Sequence, residues 1–166
     1  MNHRILSHLP AAICALALTP AAWADDKIQI APQGNTSYVT YYTTQPLGML
    51  DLGDAASNGV LVQMTGVTRN LSGQKAFDNM SVRCVGYHET LAGKLQAQGS
   101  CVEIDAEGDK VFTTYLAGVH TLIGGTGKYK GISGTAPFAV ISRLPSTGGG
   151  IGGAIAVEHK VSWQVR

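Results

Sequence analysis

The stretch Ile123-Gly124-Gly125-Thr126-Gly127-Lys128-Tyr129-Lys130-Gly131-Ile132-Ser133-Gly134 decides how this chain is read. Its five glycines suggest a phosphate loop, but the spacing does not fit one. A phosphate loop needs Gly, four residues, then Gly-Lys followed by Ser or Thr. Here Gly127-Lys128 is followed by Tyr129, and Leu122 stands where the first glycine belongs. A dinucleotide turn counted from Gly125 meets Lys130 at its sixth position. What remains is a bend between two β-strands. The glycines relieve the steric limits on φ, Lys128-Tyr129-Lys130 form a single turn, and Tyr129 packs its ring against one end of the fold.

Outward from this bend, β-rich runs recur between Gly, Asn, Asp and Pro, with no helical periodicity. Strands are expected near 36–44, 59–69, 77–89, 94–105, 110–117, 119–124, 132–143 and 153–165. A polar turn covers 105–109, and a Ser/Thr/Gly loop covers 145–153. The final run alternates most clearly: Ile155, Val157, His159, Val161, Trp163 and Val165 share one face, while Glu158, Lys160, Ser162, Gln164 and Arg166 share the other. Such a terminal strand favours closure with the first, which removes exposed edges. The expected fold is therefore all-β, a single eight-stranded antiparallel β-barrel. Its interior is just wide enough to be filled by side chains or to hold one small ligand. A two-sheet sandwich is the alternative.

The start of the chain reads as a cleaved export signal. Arg4 precedes a short apolar run at 11–18, and Ala22-Trp23-Ala24 places small residues at the cleavage positions. Residues 1–24 are assigned to this signal peptide and 25–166 to the barrel domain, with a periplasmic or secreted destination. Twelve Lys and Arg stand against eleven Asp and Glu, and removal of Arg4 balances them. With no basic face, nucleic acid is not an expected partner. No second apolar run is long enough for a membrane span.

Cys84 and Cys101 remain in the mature chain. If Ala92-Gly93 forms a two-residue hairpin turn, opposed positions on the flanking strands sum to 185, as 84 and 101 do. The two cysteines then face each other across antiparallel strands, close enough for a disulfide, as expected in an oxidising compartment.

The Gly125-Thr126-Gly127-Lys128-Tyr129 turn, followed by Gly131-Ile132-Ser133-Gly134, resembles the allene oxide cyclase and dirigent barrel superfamily. The hairpin at 105–111 is similar to bacterial members as well. The resemblance covers about the last third of the mature chain. It implies an eight-stranded barrel with a central pocket, often in a homodimer or homotrimer. Some members cyclise or isomerise reactive unsaturated substrates without a cofactor; others steer phenolic radical coupling. No family catalytic residue matches a position here, so none is transferred.

The candidate chemistry is therefore read from this chain's own residues. His159 lies on the apolar face beside Trp163 and is either a general acid or base or a core histidine with satisfied nitrogens. Glu103 shares a face with Cys101. It is a proton shuttle if that face is interior and a solvated charge if it is exterior. These two are the catalytic candidates. Tyr87, Arg83, Tyr115, Trp163 and His88 are the ligand-binding candidates, with Arg83 and Tyr87 able to anchor a carboxylate or phenol and His88 near the rim. His120 opens a strand and is read as exposed. Asp78 and Asp109 are further acidic candidates, with capping of its hairpin the alternative role for Asp109. Tyr38, Tyr42 and Phe112 complete the aromatic stock for a pocket. No metal site is expected, because the three mature histidines lack ligand spacing. No Gly-x-Ser-x-Gly nucleophile elbow occurs. The expected function is lumenal binding of a small apolar or phenolic molecule without a cofactor. A cofactor-independent cyclase, isomerase or lyase, and a packed barrel acting as an interaction module, are the alternatives.

Overall fold

The computed structural model describes residues 29–54, 56–145 and 152–166. The leader read over residues 1–24 lies outside them, as does most of the loop expected at 145–153. Eight strands follow in order: β1 (Gln33–Asp51), β2 (Asn58–Asn70), β3 (Ser81–Leu91), β4 (Lys94–Ile104), β5 (Lys110–Leu116), β6 (Val119–Gly125), β7 (Ile132–Pro145) and β8 (Gly153–Val165). Each pairs antiparallel with its neighbour, and β1 pairs with β8, closing the barrel. This is the architecture implied by the resemblance to allene oxide cyclase and dirigent barrels; the sandwich is excluded. Among the described residues no helix is long and apolar enough to cross a membrane.

The glycine stretch does what its spacing suggests. Gly127–Tyr129 form one 3-10 turn between β6 and β7. Gly127 has φ +53, and the Asp109 carboxylate occupies the space a Cβ would need. Lys128 reaches back to the 105–109 hairpin, its Nζ lying 2.6 Å from Asp105 Oδ2 and 2.9 Å from Glu107 Oε2. Tyr129 is buried and packs against Phe77.

The disulfide also forms as expected. Ala92 (φ 48) and Gly93 (φ 75) make the turn, and Cys84 pairs directly with Cys101 at a Cα separation of 4.0 Å. The side chains of β3 set its orientation: Val82 and Cys84 are buried, while Ser81, Arg83 and Val85 are exposed. The disulfide therefore lies inside the barrel.

One strand start differs from expectation. β3 begins at Ser81 rather than residue 77, because Phe77 and Asn79 adopt positive φ (56° and 53°), which breaks the extended run. Asn70 holds this connection, donating through Nδ2 to the Ala76 carbonyl at 2.7 Å and through its backbone N–H to Asp78 Oδ1 at 2.9 Å. Phe77 is thereby driven into the end of the barrel. Its ring stacks on Tyr38 (centroids 5.4 Å, 7°) and tilts against Trp163 at 5.4 Å. Tyr38, Phe77, Met80, Val111, Leu122, Tyr129, Ile132, Ala136, Val161 and Trp163 form one cluster that fills this end. Tyr42, Met64, Val82, the disulfide, Tyr115 and Val157 form a second cluster.

Candidate functional site

A chamber of about 100 Å³ sits within the second cluster, and every strand contributes to its wall. Tyr42, Met64, His88, Ala97, Tyr115, His120, Phe138 and Val157 come from β1 to β8 in turn, each from the inward face set by strand alternation. It meets a wider mouth of about 340 Å³ that shares Met64, His88, Leu95, Arg143 and Ile155 and adds Thr44, Asn58 and Thr90. The lumen therefore has one packed end and one cavity-bearing end.

Room for the chamber's aromatic wall comes from Gly86 and Gly99, paired across β3 and β4. A Cβ at Gly86 would collide with the Tyr115 hydroxyl. That hydroxyl lies 3.0 Å from His88 Nε2. The Tyr115 ring lies 5.3 Å from His120, which in turn meets Phe138 edge-on at 5.1 Å. His120 Nδ1 is 3.1 Å from Thr113 Oγ1.

Behind His120 a buried column leads towards the packed end. His159 meets His120 edge-on at 5.1 Å and stacks on Tyr38 at 4.6 Å. The Tyr38 hydroxyl donates to Glu103 Oε1 at 3.4 Å. Among the described residues, Glu103 Oε2 and both ring nitrogens of His159 have no hydrogen-bond partner. Burial decides the protonation of this column, because it penalises whichever form is charged. It raises Glu103 to about 7, with the Tyr38 hydrogen bond pulling the other way. It lowers His120 to about 4 and His159 to about 3, the latter helped by His120. Tyr115 is pushed up to about 12. His88 is lowered by burial and then by the charge of Arg143.

The expected site residues are thus partly regrouped. His88 and Tyr115 line the cavity. His159 and Glu103 are interior but lie behind the chamber wall. Glu103 is not a solvated charge, since its face carries the buried disulfide. His120 is buried rather than exposed, because it pairs directly with Tyr115 across the Ala117-Gly118 turn. Arg83 and Tyr87 alternate out of phase with Cys84 and stand on the outer face. There Arg83 donates to Gln63 Oε1 at 2.9 Å and Tyr87 to Glu89 Oε1 at 3.3 Å. Trp163 belongs to the packed end, its indole donating to the Ala31 carbonyl at 3.0 Å. Asp78 accepts the Asn70 backbone N–H within the connection between β2 and β3, whereas Asp109 serves more than its own hairpin, accepting the Lys128 backbone N–H in the turn between β6 and β7. Among the described residues no three His, Cys, Asp or Glu side chains converge as a metal site.

Fold and cavity together define a closed eight-stranded antiparallel barrel with a one-ended, mostly apolar lumen. The chain is similar in structure to the pterocarpan synthase dirigent protein GePTS1, with a TM-score of 0.49 and 14% identity over 83% of this chain and 89% of that one. It is likewise similar to the pterocarpan synthase dirigent protein PsPTS1, with a TM-score of 0.49 and 13% identity over 82% of this chain and 99% of that one. No family model matches the sequence, and no curated protein matches it.

Proposed function

We propose that this protein is an exported barrel that binds one small apolar or aromatic molecule in its lumen. The observation that carries this reading is the chamber of about 100 Å³, walled by side chains from all eight strands and continuous with a mouth. Ligand sites are concave, mostly apolar, and fitted with a few aimed polar groups, here His88, Tyr115 and His120. A volume of this order suits about one aromatic ring. The Cys84–Cys101 disulfide fits an oxidising compartment outside the cytoplasm. Native mass spectrometry of protein purified from its own host tests the reading. A co-purified small molecule is expected, and it should be missing from Ala97→Phe, whose ring fills the chamber. An Ala97→Phe variant that retains the molecule would place binding elsewhere.

One observation favours a second reading as a cofactor-independent isomerase or cyclase. His120 forms part of the chamber wall and backs onto His159, Tyr38 and Glu103. Neutral at pH 7, His120 can accept a proton from a bound molecule, while His159 and Glu103 act behind it as positioning groups. The test is His120→Gln, which should keep ligand affinity and lose turnover. Unchanged turnover would rule out this role.

A further inference from the structure

Arg143 stands at the junction of chamber and mouth, and it is the only charged side chain among the described residues lining either space. Its position depends on a local irregularity in β7. Val140 pairs with Val157 and Arg143 with Ile155, but Ile141 has no partner, because a bulge lies between Val140 and Ser142. Val157 and Ile155 both line the chamber. Simple alternation from Val140 would turn residue 142 inward and residue 143 outward. The extra residue reverses that phase, so Arg143 rather than Ser142 shares the inward face. Bulges commonly re-aim a side chain in this way.

Among the described residues Arg143 has no carboxylate partner, and every ion pair belongs to Lys128. Among the described residues no Asp or Glu lines the chamber or the mouth. The cation is therefore set over an apolar chamber with its forked donor face unused. A guanidinium suits a carboxylate in particular, which it can grip through two parallel hydrogen bonds.

The geometry points to a ligand class: a monocarboxylate whose apolar or aromatic body occupies the chamber and whose carboxylate meets Arg143 at the mouth. This rests on the reading that the lumen holds a small molecule. Titration calorimetry with 3-phenylpropanoate and its uncharged counterpart 3-phenylpropan-1-ol separates the two claims. The native protein should bind the acid at least about tenfold more tightly than the alcohol, and added salt should narrow that gap. Arg143→Gln should bring the acid to the alcohol's affinity while leaving the alcohol unchanged, and Arg143→Lys should keep part of the preference. Equal binding of acid and alcohol by the native protein would overturn the carboxylate assignment and leave lumenal binding standing. So would an Arg143→Gln variant that weakens both alike. Binding of neither compound would remove both claims for a ring-sized guest.

Discussion

Tyr38 of β1 and His159 of β8 are directly paired across the junction that closes the barrel, and their rings stack 4.6 Å apart at 11°. The Tyr38 hydroxyl meets Glu103 on β4, so one side chain links the closing pair of strands to the opposite wall. The lumen is thus crossed by a layer of polar groups whose charged forms burial penalises.

That layer makes stability depend on pH in opposite senses. Glu103 is raised to about 7 from 4.5, so its contribution is complete below pH 4.5 and lost as pH rises through 7. His120 and His159 are lowered to about 4 and 3 from 6.5, so theirs is complete above 6.5 and lost as pH falls through 4 and 3. Urea unfolding of Glu103→Gln and the native protein at pH 5 and pH 8 isolates the carboxyl. The variant should gain up to about 3 kcal/mol relative to the native protein between those values. A difference that does not change with pH would show that Glu103 ionises normally.

Gly86→Ala should disturb the chamber rather than the sheet alone. The added methyl meets the Tyr115 hydroxyl and the Gln98 carbonyl, so Tyr115 must leave its position 3.0 Å from His88. Ligand affinity is expected to fall at least about tenfold, a cost of about 1.4 kcal/mol. Calorimetry checks this, and a Gly86→Ala, Tyr115→Phe double variant should recover part of any lost stability, since the hydroxyl is the nearest colliding atom.

Lys128 is held among three carboxylates, of which Asp105 is almost fully buried (side chain 1% exposed). Lys128→Met strands that charge and should cost about 3 kcal/mol in denaturant unfolding. Adding Asp105→Asn should return part of it, because the stranded charge is gone. Strict additivity of the two substitutions would mean that the pair does not interact.

Removing the Cys84–Cys101 bridge should lower stability by about 3 kcal/mol, the scale for a loop of this length. The Cys84→Ala, Cys101→Ala variant should unfold at a lower urea concentration, with far-UV dichroism at low urea unchanged. An unchanged midpoint would show that the hairpin is equally constrained without the bond.

Much of the barrel was legible because two-residue alternation and tight turns leave strong local marks. The register of β3 on β4 followed from Ala92-Gly93, and the inward face of β8 from Val157, His159 and Val161. The same arithmetic applied to Ala117-Gly118 sets Tyr115 opposite His120 and would have placed that imidazole inside. Alternation along β3, with Val82 and Cys84 against Ser81 and Arg83, likewise carries the signal that puts Glu103 in the interior and Tyr87 outside. Arg143 could not be found this way. Its direction depends on an unpaired Ile141, and nothing in the local composition marks which residue of a strand is the surplus one. Phe77 was hidden for a related reason: an aromatic residue at positive φ looks, in sequence, like the start of a strand.

The stopper that Phe77, Tyr129 and Trp163 make of one end has a kinetic consequence. A vessel with a single door cannot pass traffic through. A small molecule bound as proposed would enter and leave past Arg143, so occupancy would proceed one guest at a time and residence would be governed at the threshold.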